Sequence, residues 1–169
     1  INIVVQFDRA GYDNRYDNWE TTKRFYIDQG MTPVATNAIE DIGEANMGSS
    51  QTVINFVDWA KTNYPAKRYA LVFWNHGGGW RQKEPARTKA VCWDDTNKDC
   101  LFMSEVKEAL SNSGADVIGF DACFMGMIEV AYQLKDCGDV AVFSQESEPG
   151  DGWSYDTILS DLTGTPTME

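Results

Sequence analysis

Residues 117–124, VIGFDACF, constrain this chain more than any other stretch. Four mostly apolar residues run into Asp121, Ala122 and Cys123, and a helical pattern, MGMIEVAYQL, follows at once. A buried strand that turns into a helix sets its last residues on the carboxyl edge of a sheet, where ligands bind in open parallel α/β folds. On this reading Cys123 sits just before a helix amino terminus, where unpaired N–H groups and the dipole favour a thiolate. A thiolate nucleophile needs a proton acceptor to complete a cycle. The chain has a single histidine, His76, and it too follows an apolar run: YALVFWNHGGGW.

The rest of the chain alternates between strand-like and helix-like patterns. Residues 2–8, NIVVQFD, form a continuous apolar run, as expected of a strand covered on both faces. A turn-rich loop follows, and Asn18 then caps a predicted helix to about residue 28, with Trp19, Phe25 and Tyr26 partly buried and Gly30 ending it. Ser49 or Ser50 opens a helix with Val53, Phe56, Val57 and Ala60 on one face, stopped by Asn63 and Pro65. Residues 69–74 and 90–95 read as strands, and Ser104 opens a helix whose apolar face is Val106, Ala109 and Leu110. Beyond the Cys123 segment come a strand at 140–143 and a last helix from Ser154. This order predicts an α/β fold with a mostly parallel sheet sandwiched by helices. A chain of 169 residues is most simply one domain with a good core.

Composition narrows the partners. The net charge of −12 argues against nucleic acid and anionic membrane surfaces and suits a basic substrate. No apolar run approaches the ~20 residues of a membrane span. Cys92 and Cys100 are spaced to bridge across a loop, and Cys137 ends a helix. With one histidine and no CxxC, no zinc site is expected.

Asp-Ala-Cys at 121–123, together with NHGGGW and EPGDGWSYD, resembles the clostripain family of cysteine peptidases, which cut after Arg or Lys. The resemblance runs from Ile1 to about Leu162. His76 precedes Cys123 by 47 positions, near the roughly 50-residue gap of caspases, although those have Gln before Ala-Cys. The resemblance implies the caspase-like fold, a three-layer α/β/α sandwich. It implies one peptidase domain over 1–169, without the family's first strand and its carboxyl-terminal part. It makes His76 and Cys123 a catalytic dyad and places the oxyanion hole at the N–H groups of Gly77 and Cys123. Asp121 and Asp151 match the acidic residues of the first specificity pocket, where a carboxylate pairs with an arginine fork or a lysine point charge. Family members are often cut, by themselves, between the histidine and cysteine strands; that loop here carries Arg81, Lys83, Arg87 and Lys89. The implied partners are proteins or peptides with basic residues, and the implied location is the bacterial envelope or outside the cell. No cofactor is required, while the calcium response of some relatives leaves a bound calcium ion open.

Plainer readings stand beside these. A lone cysteine in an apolar run is most simply a small buried hydrophobe, but the joint placement of His76 and Cys123 at two strand ends favours chemistry. Asp121 also suits a helix cap, and Asp151, between two glycines, a turn. Asp95, Asn97 and Asp99 alternate like a calcium loop, but Cys100 takes the place of its glycine and Val106 that of its closing Glu, so a solvated loop is expected. The alternative functions are a caspase-fold peptidase of other specificity, a catalytically silent peptide-binding relative, and a signalling domain holding a metal at Asp8, Asp94, Asp95 and Asp121.

Overall fold

The computed structural model describes residues 1–9, 19–79 and 90–164. In chain order the elements are β1 (Val4–Phe7), β2 (Lys23–Tyr26), β3 (Glu40–Asp41), α1 (Ser50–Asn63), β4 (Ala70–Trp74), β5 (Ala90–Asp94), β6 (Asp99–Phe102), α2 (Met103–Leu110), β7 (Val117–Asp121), α3 (Ile128–Leu134), β8 (Val140–Phe143) and α4 (Tyr155–Gly164). The apolar runs around His76 and Cys123 form the heart of an α/β fold: β4, β7 and β8 make a parallel sheet in the order β4-β7-β8. Parallel neighbours need crossovers. The chain supplies them through α2 between β4 and β7 and through α3 between β7 and β8.

One face of this sheet carries Leu71, Phe73, Ile118, Phe120 and Phe143, and it packs with Val53, Val106, Leu110, Val130 and Leu134 of the helices into one core. The Phe73 and Phe120 rings stack at 5.2 Å across the two strands. On the opposite face Gly119 lies under the Trp153 ring. A Cβ there would stand 3.0 Å from Val72 and 3.1 Å from the indole, so the missing side chain is what seats Trp153.

The amino-terminal run does not join the parallel sheet. β1 pairs antiparallel with β2, which pairs with β3, and Val5 is left partly exposed. The helix expected between residue 18 and about residue 28 is therefore β2; residue 18 itself lies outside the described residues. Cross-strand partners decide the outcome. Arg24 bonds Gln6 and Glu40, each at 3.0 Å, and lies over the Trp59 ring, while Lys23 pairs with Asp41. These partners satisfy two cations that the sheet buries.

A second unexpected hairpin is β5–β6. Asp99 begins β6, and its carboxylate accepts bonds from the Cys100 N–H and the Asn46 side chain. The stretch with calcium-like alternation is thus a tight hairpin turn and strand start. Cys92 and Cys100 are free thiols, as are Cys123 and Cys137, so the bridge their spacing allows is not formed. Burial pushes the Cys92 thiol up to about 12.

Candidate active site

The register of the parallel sheet builds the site. Trp74 of β4 pairs with Asp121 of β7, so His76 and Cys123 each follow by two residues at the same sheet edge. Adjacent strands run about 4.8 Å apart, which sets the scale of their separation. Gly77 registers the approach directly. A Cβ there would overlap the Cys123 carbonyl oxygen and stand 3.0 Å from the Cys123 nitrogen, so only glycine fits. The bridge between Gly77 and Val91 is carried by Gly78 N–H donating to the Ala90 carbonyl at 3.2 Å. Among the described residues, the N–H groups of Gly77 and Cys123 have no hydrogen-bond partner, which suits both to an incoming oxyanion.

The setting of Cys123 differs from the expectation. α3 begins at Ile128, after a turn in which Phe124 takes φ 60°, so Cys123 does not directly precede the helix amino terminus. The helical pattern starts late because Gly126 N–H donates to the Ser144 carbonyl at 2.6 Å, a tertiary bond that holds the chain extended. The sulfur instead accepts from Glu148 N–H at 3.3 Å. Phe124 N–H donates to the Glu146 carbonyl at 3.0 Å, so the loop after β8 runs along the whole cysteine turn.

His76 is exposed. Its N–H donates to Asn75 Oδ1 at 2.5 Å, and Asn75 Nδ2 donates to the Trp93 carbonyl at 3.3 Å, which fastens the end of β4 to β5. Among the described residues no side chain bonds the His76 ring.

Asp121 is buried, at 2% exposure, and it does not cap α3. Its Oδ2 accepts from the Trp153 N–H and the Tyr155 hydroxyl, both at 2.9 Å. Its Oδ1 is buried with no partner among the described residues. The Tyr155 phenol is pushed well above its ordinary range, first by burial and then by its bond to Asp121. Asp151 is exposed in a turn closed by Gly152 N–H on the Pro149 carbonyl at 2.9 Å, and Gly152, at φ 72°, packs against Asp121 Oδ2. The structure thus places Gly152, the neighbour of Asp151, against Asp121, while the Asp151 side chain is exposed. Glu148, Trp153 and Tyr155 had no role in the sequence reading; the one signal was the EPGDGWSYD block that contains them. Arg81, Lys83, Arg87 and Lys89 lie outside the described residues.

Of the four aspartates considered for a metal, Asp8 and Asp94 come together, and Glu44 joins them within 4.8 Å. Asp121 is committed elsewhere, to Trp153 and Tyr155. Burial raises the Asp8 carboxyl, aided by Asp94, and burial with Asp8 and Asp94 raises that of Glu44. Three hard oxygen donors suit calcium in type. Asp94 already accepts from Met47 N–H and Asn97, and Asp8 from Thr22.

The fold is that of the caspase-like cysteine peptidases. The clostripain family model matches residues 1–169, and the chain belongs to that family. It is 41% identical to clostripain of Hathewaya histolytica over 69% of this chain and 24% of that protein. Among solved structures it is similar to a secreted C11 cysteine protease from Bacteroides thetaiotaomicron, in complex with an irreversible peptide inhibitor, with a TM-score of 0.75 and 27% identity. That match covers 95% of this chain and 43% of the other. An inactive zymogen C11 protease from Parabacteroides distasonis follows at TM-score 0.69 and 26% identity, over 95% of this chain and 42% of that one. The chain thus spans less than half the length of each of these relatives.

Proposed function

We propose that residues 1–169 form a single peptidase domain that hydrolyses peptide bonds after Arg or Lys with a His76–Cys123 dyad. The observation that carries this reading is the register that sets His76 and Cys123 at equal distances beyond neighbouring strand ends, beside the buried Asp121. The Cys123 sulfur attacks the scissile carbonyl carbon while His76 holds the thiol proton. The carbonyl π pair becomes an oxyanion facing the N–H groups of Gly77 and Cys123. On collapse the C–N bond breaks, His76 gives its proton to the leaving amine, and a thioester remains. Water then adds to the thioester with His76 as base, releasing the acid and restoring the thiol.

Basic specificity is supported by Asp121 and Asp151 and by the acidic balance of the chain. We extend the proposal to self-processing at Arg81, Lys83, Arg87 or Lys89, a loop that carries the residue type the pocket would accept. A zymogen among the related structures favours a maturation step. Hydrolysis uses no cofactor. A calcium ion, in this proposal, takes Asp8, Glu44 and Asp94 as ligands and has a structural role. Secretion is inferred from the relative described as secreted.

The test is hydrolysis of reporter peptides ending in Arg, Lys, Asp, Asn or Leu. Cleavage after Arg and Lys, stopped by a thiol alkylator and not by a chelator, supports the reading. Cleavage after Asp or Asn overturns its specificity, and loss of activity with chelator alone favours a metal function. For self-processing, wild type and Cys123→Ala are incubated in parallel and fragment termini are sequenced. A new terminus between residues 82 and 90 in wild type alone is expected, and an intact, fully active wild-type chain refutes it.

A further inference from the structure

We propose that Tyr155 is a positioning residue for the specificity pocket: its hydroxyl and the Trp153 N–H hold one oxygen of Asp121 so that the other is presented to the substrate's cation. This rests on the reading of Asp121 as the pocket carboxylate. A carboxylate offers about four acceptor sites on its two oxygens. In Asp121 the two donors at 2.9 Å both fall on Oδ2, and Oδ1 is left buried without a partner among the described residues. An unpaired buried carboxylate oxygen is costly unless something charged meets it. The asymmetry is built by several parts of the chain. Gly152 packs its backbone against Oδ2, where a Cβ would collide. Gly119 admits the Trp153 ring beneath the loop, and Trp153 Nε1 donates to Glu148 Oε1 at 3.4 Å. With Oδ2 saturated and fixed, rotation of the carboxyl is blocked, and a guanidinium or ammonium meets Oδ1 in one orientation.

Tyr155 touches neither Cys123 nor His76 among the bonds described, so its effect belongs to binding and charge selection. The experiment compares wild type, Tyr155→Phe and Asp121→Asn on matched peptides ending in Arg and in citrulline, the neutral isostere of Arg. The rate of Cys123 alkylation by iodoacetamide is measured in parallel. Tyr155→Phe is expected to raise KM for the Arg peptide about tenfold, the size expected for one hydrogen bond to a charged group. kcat, citrulline hydrolysis and the alkylation rate should stay within twofold. An unchanged Arg-to-citrulline preference in Tyr155→Phe, with Asp121→Asn abolishing that preference, overturns the inference and leaves the pocket reading standing. A parallel fall in kcat and alkylation overturns it too, because the hydroxyl would then be a structural prop. If wild type shows no preference for Arg, or Asp121→Asn keeps it, the pocket reading fails and the inference falls with it.

Discussion

The two strand ends that meet at the site are held differently. The end of β7 is tied to one loop at Asp121, Cys123, Phe124 and Gly126, through bonds to Trp153, Glu148, Glu146 and Ser144. The end of β4 rests on Asn75 and the Gly78–Ala90 bond, and it leaves His76 exposed. On the proposed function, nucleophile and pocket carboxylate share one scaffold, so a substrate that seats its cation on Asp121 sets its carbonyl against a sulfur held in the same frame. A proton carrier tolerates looser placement, because catalytic hydrogen bonds often tighten only in the substrate complex.

The β7 end should yield the largest losses. Cys123→Ala is expected to lower kcat on the order of 10⁴-fold or more with an unchanged melting curve, measured on the best Arg substrate. Residual turnover within tenfold of wild type would break the account. Asp121→Asn should cost about 10²- to 10³-fold in kcat/KM for Arg peptides, the scale of an unpaired buried charge partner. Gly119→Ala tests the scaffold itself. The new methyl meets Val72 and Trp153, and overpacking of this kind costs about 1–3 kcal/mol, read as a lower denaturation midpoint.

The β4 end should respond less. Asn75→Ala removes the group that fastens His76 to β5, and kcat should fall about five- to tenfold with KM unchanged. A loss as large as that of Asp121→Asn would show that both ends are equally constrained. Asp8, which has no part in the proposed chemistry, serves as a control. Burial raises its carboxyl, so the folded state favours the protonated form. That contribution is full at low pH and is lost as pH rises through the folded value. With calcium absent, Asp8→Asn should raise the melting temperature at pH 7 and leave it unchanged near pH 3, with hydrolysis unaffected.

Much of this was legible in the sequence because its signals are local. β4 and β7 are short apolar runs ended by polar residues, and their parallel pairing followed from the intervening helix. The errors share one cause, which is partners far along the chain. β2 resembles a capped helix until Lys23 and Arg24 find Asp41 and Glu40, 18 and 16 residues away. The residues after Cys123 have helical spacing, but Gly126 bonds Ser144 and delays the helix to Ile128. His76, Cys123, Asp121 and Asp151 were named from motif blocks. The roles of Glu148 and Tyr155 arise only when the loop folds back across 25 and 34 residues.

The measurement that bears most directly on the shared β7 scaffold is covalent labelling. Peptidyl chloromethyl ketones ending in Arg, Leu or Asp are added in equal amounts, and the labelled cysteine is identified by peptide mapping. The account predicts stoichiometric labelling of Cys123 by the Arg reagent, little by Leu and none by Asp. Labelling of Cys123 by the Asp reagent at a comparable rate, or transfer of the Arg label to Cys92, Cys100 or Cys137, would contradict it.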